Sequence, residues 1–132
     1  MSSLGNFAKK YAGTYFESSC FETPQFKAFA ASFKRALKKD AKESAFEVVD
    51  FSKGHFELDG FLRHKETGRY VYFSIDDVRF FKDEWKDKVL YRLAKDEKDF
   101  TGEWHHYAPL MELLKAADEL VWRDRHRKEA TA

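Results

Sequence analysis

The stretch from Phe46 to Ala94 constrains the fold of this 132-residue chain most strongly, because apolar and polar residues alternate along it and turn residues interrupt the alternation. A period of two residues is typical of β-strands with one buried face. Turns such as residues 65–68 are short enough to join neighbouring antiparallel strands. We therefore predict a four-stranded antiparallel meander over residues 45–94, with strands at 46–51, 55–64, 70–75 and 89–94.

The alternation also assigns each side chain to one of two sheet faces. The inner face is predicted to carry Phe56, Leu58, Val71, Phe73 and Ile75. Gly60 falls on this face, where a missing side chain lets a large neighbour approach closely. Consecutive valines in the first strand break the alternation, which predicts a β-bulge or a kink at the sheet edge. The outer face is also rich in aromatic residues and is predicted to carry Phe61, Tyr70 and Tyr72, with Glu57, Asp59, Arg63 and Arg92 beside them.

Helices are predicted before and after the meander in the sequence. Thr23-Pro24 is a typical helix start, and the apolar residues after it repeat at three and four positions, which indicates a helix over 23–44. A second stripe begins at Pro109 and predicts a helix over 109–126, followed by a tail at 127–132. Residues 1–22 are expected to form a short helix and a loop that docks aromatic side chains, and residues 95–108 a loop.

Together these elements give the order α-α-β-β-β-β-α in a single domain over residues 1–132. Helices with one apolar stripe are best buried on a common sheet face, so we predict a two-layer α+β fold with the helices on one face. The other sheet face would then meet water.

The charge balance argues against a strong polyanion binder. With 24 basic and 23 acidic side chains the chain has a formal net charge of +1, which supplies little long-range attraction for nucleic acid or a membrane surface. Cys20 is the sole cysteine, and the first residues lack a charged and then apolar leader pattern, so we expect a cytoplasmic protein. No apolar run has the length of about 18 residues that would predict a membrane span.

Catalytic chemistry has weak support in the sequence. The pair His105-His106 is the most enzyme-like feature, but metal sites need three or four ligands, and no nearby cysteine or second histidine pair supplies them. The sequence also lacks a glycine-rich phosphate loop and a nucleophile elbow. We therefore predict no catalytic residues, no metal and no cofactor. A metal-dependent enzyme around His105 and His106 remains a third hypothesis.

Two surfaces can contact a partner. We rank three interpretations of the aromatic residues on the outer sheet face. Ordinary cross-strand pairing comes first, contact with a protein second and stacking of nucleic-acid bases third. On the helix over 23–44, basic residues gather opposite the apolar stripe, either as a solvated face or as a track for phosphates. The residues of this basic face are Lys27, Lys34, Arg35, Lys38 and Lys42.

Two resemblances bear on function. The order of helices and strands resembles the double-stranded-RNA-binding fold in topology only, because the lysine-rich start of that family's last helix is replaced here by residues 105–114. The run Arg92-Leu-Ala-Lys95-Asp-Glu-Lys98-Asp99-Phe100-Thr101-Gly102 resembles a sequence found in small uncharacterised proteins of phages and other mobile elements. That resemblance implies a protein that binds and blocks a host defence or nucleic-acid-processing protein.

The leading hypothesis is thus a small non-enzymatic protein-binding module with a protein partner and no membrane contact. The aromatic content of 17% exceeds what one core face should require, which motivates this hypothesis. The predicted contact residues are Phe61, Tyr70, Tyr72, Trp85, Arg92 and Trp104. Nucleic-acid binding through the basic face is the second hypothesis.

Overall fold

The fold is α+β, with a five-stranded antiparallel sheet whose strands follow one another in chain order. The structure is a computed structural model and describes residues 2–12, 24–53, 57–75, 84–100 and 104–131. The helices are α1 (Ser3–Tyr11), α2 (Pro24–Lys42), α3 (Glu84–Asp87) and α4 (Leu113–Thr131), with a 3₁₀ turn at Leu110–Glu112. The strands are β1 (Phe46–Lys53), β2 (Leu58–His64), β3 (Tyr70–Ile75), β4 (Val89–Ala94) and β5 (His106–Ala108).

The sheet register places the apolar side chains on the face that the alternation predicts. Leu58 lies opposite Ile75, and Leu62 lies opposite Val71. The predicted bulge in β1 is present, because the register with β2 shifts between Val48 and Asp50. A methyl group added at Gly60 would collide with the backbone oxygen of Asp50 and would lie 2.9 Å from the Phe73 ring. Gly60 therefore permits a close approach of the Phe73 ring to the backbone of β2, as predicted.

The helices cover the inner face of the sheet. The apolar stripe of α2 is buried, and its Phe33 ring lies 5.7 Å from the Phe51 ring and 6.2 Å from the Phe73 ring. Phe7 of α1 contacts both Phe29 and Phe33 of α2, with ring centroids 5.1 and 5.6 Å apart. These contacts form an aromatic core of tilted and edge-on ring pairs, to which Phe26 adds a stacked contact with Phe29.

Charged side chains hold the start of α1 and the end of α2 in place through contacts between residues that are distant in sequence. The Asp40 carboxylate of α2 accepts hydrogen bonds from the backbone N–H groups of Ser3 and Leu4, at 2.9 and 2.8 Å, and so caps the start of α1. The Lys65 ammonium donates to the carbonyl oxygens of Ala41 and Ser44, at 3.1 and 2.9 Å, near the end of α2. A carboxylate at a helix start and an ammonium at a helix end both complement the helix dipole.

A buried histidine connects the β2–β3 turn to α4. His64 is buried on the inner face; its Nε2 lies 2.8 Å from Asp118 Oδ1, and its Nδ1 accepts a hydrogen bond from the Thr67 backbone N–H at 3.2 Å. Because Nδ1 acts as an acceptor, Nε2 carries the proton and donates it to Asp118. The Trp122 ring packs edge-on against the imidazole.

Several elements differ from the prediction. The sheet has a fifth strand, β5, within the segment 95–108 that was predicted to be a loop. The last helix begins later than predicted, at Leu113, and it continues to Thr131 through the segment predicted to be a tail. A short N-terminal helix is present at Ser3–Tyr11, whereas the predicted docking loop at 13–22 and the inner-face residue Phe56 lie outside the described residues.

Candidate functional site

The outer face has a row of large side chains at its centre. In the sheet register Phe61 lies opposite Tyr72, and Tyr72 lies opposite Arg92, so the three residues form a row across β2, β3 and β4. The rings of Phe61 and Tyr72 are 5.1 Å apart, and the Arg92 guanidinium lies 4.4 Å from the centre of the Tyr72 ring. Aromatic and cation–π contacts of this kind stabilise neighbouring strands.

Tyr72 is held in its neutral form at this position. Its hydroxyl donates a hydrogen bond of 2.9 Å to Asp59 Oδ2 on the neighbouring strand. Burial, followed by the hydrogen bond to the Asp59 carboxylate and the negative charge of that group, raises the pKa of Tyr72 to about 12. The phenol thus serves as a hydrogen-bond donor across the sheet over the whole physiological pH range.

The segment from Lys95 to Phe100 folds back over this row. The Arg92 guanidinium donates to the carbonyl oxygens of Asp99, at 2.8 Å, and of Leu93, at 3.3 Å. Asp99 in turn accepts from the Lys95 backbone N–H at 3.0 Å. The Phe100 ring then meets Phe61 and Tyr72 edge-on, at 5.3 and 5.9 Å. We call Phe61, Tyr72, Arg92 and Phe100 the outer-face cluster.

These contacts give a structural role to the run that resembles mobile-element proteins. Within that run, Arg92 and Asp99 hold the segment in place, and the Asp96 carboxylate accepts from the Lys98 backbone N–H at 2.8 Å. Asp residues favour such turns because a short side chain can bond the backbone two residues on. The described part of the run therefore covers part of the outer face.

The predicted contact residues are only partly accessible. Phe61 and Arg92 lie on the outer face as predicted, but both are buried, so the expectation that they stand exposed there is wrong. Tyr70 and Tyr72 are half-buried. Trp85 is only 1% exposed and packs edge-on against Phe29 at 5.2 Å, so it belongs to the core and not to the surface.

Three large exposed side chains gather at the last strand of the sheet, while Phe100 of the outer-face cluster is also 63% exposed. The exposed fraction is 87% for Trp104, 59% for Tyr107 and 57% for Met111. Tyr107 belongs to β5, which lies at the edge of the sheet, and the other two residues flank that strand. We call Trp104, Tyr107 and Met111 the edge segment. Trp104 was predicted as a contact residue, whereas Tyr107 and Met111 were missed.

The two adjacent histidines border a cavity beneath the edge segment. The cavity has a volume of about 500 Å³ and lies between β4, the start of β5 and α4. Burial first, and then the positive charges of Arg123 and His105, lowers the pKa of His106. Among the described residues, no group of three or more histidine, cysteine, aspartate or glutamate side chains is arranged to hold a metal ion.

The basic face of α2 is exposed. Its five side chains all point to solvent, and Asp40, the acidic residue of this helix, is engaged at the start of α1. Arg35 donates to Ser32 Oγ at 3.1 Å, and the Lys34 ammonium lies 5.7 Å from the centre of the Phe51 ring. The structure thus places this predicted set on one accessible helix, as residues Lys27, Lys34, Arg35, Lys38 and Lys42.

Comparison with known proteins gives no family for this chain. No protein-family model matches the sequence, and neither the curated proteins nor the solved structures contain a match. In the described part of the chain, none of the helices combines the length and apolar character that crossing a bilayer requires.

Proposed function

We propose that this chain is a non-enzymatic protein-binding module and that the edge segment is its contact surface. One observation carries the proposal: Trp104, Tyr107 and Met111 are all more than half exposed although they lie within one short stretch around an edge strand. Tryptophan and tyrosine are the residues most enriched among the energetically dominant positions of protein interfaces. They bury a large apolar area and lose little side-chain entropy on binding.

The position of β5 supports the same function. A strand at the edge of a sheet presents backbone N–H and C=O groups that another chain can pair with. Here Tyr107 projects from that strand, and Trp104 and Met111 lie just before and after it. A partner segment aligned with β5 would thus meet backbone groups and aromatic anchors together.

The class of partner that we propose follows from the resemblance of the 92–102 run to mobile-element proteins. In that proposal the partner is a host defence or nucleic-acid-processing protein, and binding blocks its action. The edge segment begins directly after the run. The partner therefore meets a surface whose neighbouring segment is already ordered by Arg92 and Asp99.

Affinity capture from a lysate of the native host tests this proposal. We expect the wild-type chain to retain a specific protein, and the double variant Trp104→Ala/Tyr107→Ala to lose it while its melting temperature stays unchanged. Val49→Ala is the matched control, because Val49 is an exposed apolar residue on β1 at the opposite sheet edge. Equal retention by the double variant and the wild type would overturn the proposal.

Nucleic-acid binding by the basic face is a second candidate, favoured by the exposure of all five basic side chains on α2. It predicts an affinity for single- or double-stranded DNA or RNA that falls steeply with salt. Lys34→Ala/Lys38→Ala should reduce the salt slope by about 1 per lysine, whereas Lys115→Ala on α4 should leave it unchanged. Absence of binding to all four nucleic acids at low salt would remove this candidate.

A further inference from the structure

The cavity beneath the edge segment has the size of a small-molecule site. Its volume of about 500 Å³ lies within the range of roughly 300–1,000 Å³ that is usual for ligand pockets. The buried side chains of Leu93, from β4, and Leu120, from α4, supply an apolar part of its lining. Trp104 stands at the cavity with most of its indole exposed. These residues offer surfaces against which a flat ring can pack.

Hydrogen-bond donors line the same cavity and have unused capacity. Among the described residues, the side chains of His105, His106 and Arg123 make no hydrogen bond or ion pair. A guanidinium presents paired N–H donors that match a carboxylate or a phosphate, and each neutral imidazole offers one N–H. The three side chains line one cavity from two elements, since Arg123 belongs to α4 and His106 to β5.

The charge of the cavity favours an anion. Its carboxylate, Asp124, is buried and lies 3.7 Å from the Arg69 guanidinium, which offsets its charge. Burial, and after it the charges of Arg123 and His105, lowers the pKa of His106, so Arg123 is the permanently charged group of the lining. Burial raises the pKa of the nearby Tyr91 phenol, while the Arg123 charge lowers this pKa and the Glu119 charge raises it. Arg123 thus lines the cavity without an ion pair to a described residue, and the Glu119 carboxylate lies in the same region.

We propose that this cavity binds a small organic acid that consists of a flat ring bearing a carboxylate or a phosphate. The anionic group contacts Arg123 and the imidazoles of His105 and His106, and the ring lies between Trp104 and the leucine lining. This ligand site goes beyond the protein-binding function and does not depend on it.

Nuclear magnetic resonance titration of the full chain with defined probes tests the proposal. The probes are benzoate and phenyl phosphate, with benzamide as the uncharged analogue of benzoate and inorganic phosphate as the anion without a ring. We expect at least one of the two ring anions to shift the Trp104 indole and the His105 and His106 imidazole resonances with a dissociation constant of about 1 mM or lower. Benzamide and inorganic phosphate should bind at least about tenfold more weakly.

Arg123→Gln should weaken binding of the ring anion by about tenfold or more, because the charged donor pair is lost. Arg125→Gln is the matched control on the same helix and should leave the affinity unchanged. Arg123 is exposed, so its replacement should not unfold the chain. The proposal is overturned if neither ring anion shifts these resonances, if benzamide or inorganic phosphate binds as tightly, or if Arg123→Gln binds as the wild type does. Because Arg123→Gln leaves Trp104 and Tyr107 in place, its outcome is separate from that of the capture experiment.

Discussion

The outer-face cluster and the edge segment are both rich in aromatic residues, but the chain uses them differently. In the outer-face cluster, Phe61 is buried between Tyr72 and Phe100, and Arg92 is bonded to the segment that folds over it. In the edge segment, Trp104 and Tyr107 are mostly exposed. Phe100 is itself 63% exposed, but its ring covers Phe61 and Tyr72. Trp104 and Tyr107, in contrast, contact no other aromatic ring among the described residues.

This difference changes what the aromatic content means. An excess of aromatic residues over one core face is the feature that suggested a binding surface on the outer face. The outer-face cluster accounts for much of that excess, because it forms a second, smaller packed region on the far side of the sheet. Among the described residues, Trp104 and Tyr107 at β5 have no such packing, so the proposed function rests on that strand and its neighbours.

The largest expected effect is a difference in the free energy of unfolding between variants of the two regions. Phe61→Ala should lower the free energy of unfolding by about 3–5 kcal/mol, because it removes a buried ring and leaves a cavity. Trp104→Ala should change the free energy of unfolding by no more than about 0.5 kcal/mol, because its side chain is exposed. Urea denaturation followed by circular dichroism measures both values. Similar losses for the two variants would show that the regions do not differ in the way described.

The next effect concerns the segment that covers the outer-face cluster. Arg92→Met should cost about 1.5–3 kcal/mol of unfolding free energy, because it removes charged hydrogen bonds to buried carbonyl groups. Amide exchange at Lys95, whose N–H is bonded to Asp99, should also become faster. Arg63→Met is the control: Arg63 lies on the same face in a partly exposed ion pair with Glu47, so its loss should cost about 1 kcal/mol or less. Unchanged exchange at Lys95 in Arg92→Met would contradict the role assigned to Arg92.

A smaller effect should appear at high pH. The pKa of Tyr72 is raised from 10.0 in the unfolded chain to about 12 in the folded one, so the folded state favours the neutral phenol. This contribution to stability is fully present below pH 10 and is lost as the pH rises toward 12. At neutral pH, Tyr72→Phe should cost about 1 kcal/mol for the lost hydrogen bond to Asp59.

Ultraviolet absorbance of tyrosinate follows the titration, and urea denaturation at several pH values follows stability. The Tyr107→Phe variant is the matched control, because Tyr107 is exposed at the edge strand. Between pH 10 and 12 the Tyr72→Phe variant should lose less stability than the wild type, whereas Tyr107→Phe should lose as much as the wild type. If Tyr72 titrates near 10 in the folded protein, the burial of this phenol and its hydrogen bond to Asp59 do not hold in solution.

The smallest effect on stability belongs to the edge segment. Tyr107→Ser should leave the free energy of unfolding within about 0.5 kcal/mol of the wild type, since it removes an exposed side chain. The same variant should reduce retention of the captured partner. A large loss of stability without any loss of binding would show that Tyr107 serves the fold, as the aromatic residues of the outer-face cluster do.

The sequence was informative wherever local periodicity decides the structure. The stripe of α2, the alternation of β2 to β4 and the bulge in β1 were all predictable, because each follows from the spacing of neighbouring side chains. The close approach at Gly60 was predictable for the same reason. The class of fold therefore followed from local patterns.

Features that depend on distant contacts were not predictable in this way. Strand β5 covers only His106–Ala108, which is too short for an alternating pattern to stand out. The covering of Phe61 depends on a charged segment that looks like an ordinary loop until Arg92 is seen to bind its backbone. Asp40 reads as part of a helix surface in sequence, yet its partners lie at the start of α1. In each case the deciding contact joins segments whose proximity the sequence does not reveal.

Oxidative footprinting of the captured complex tests the central claim most directly. Hydroxyl radicals label exposed tryptophan, tyrosine and methionine side chains, so Trp104, Tyr107 and Met111 should all react in the free protein. In the complex we predict strong protection of these three residues and unchanged labelling of Tyr11, which is partly exposed on α1. Full labelling of the edge segment in the complex, with protection elsewhere on the chain, would contradict the claim that this surface binds the partner.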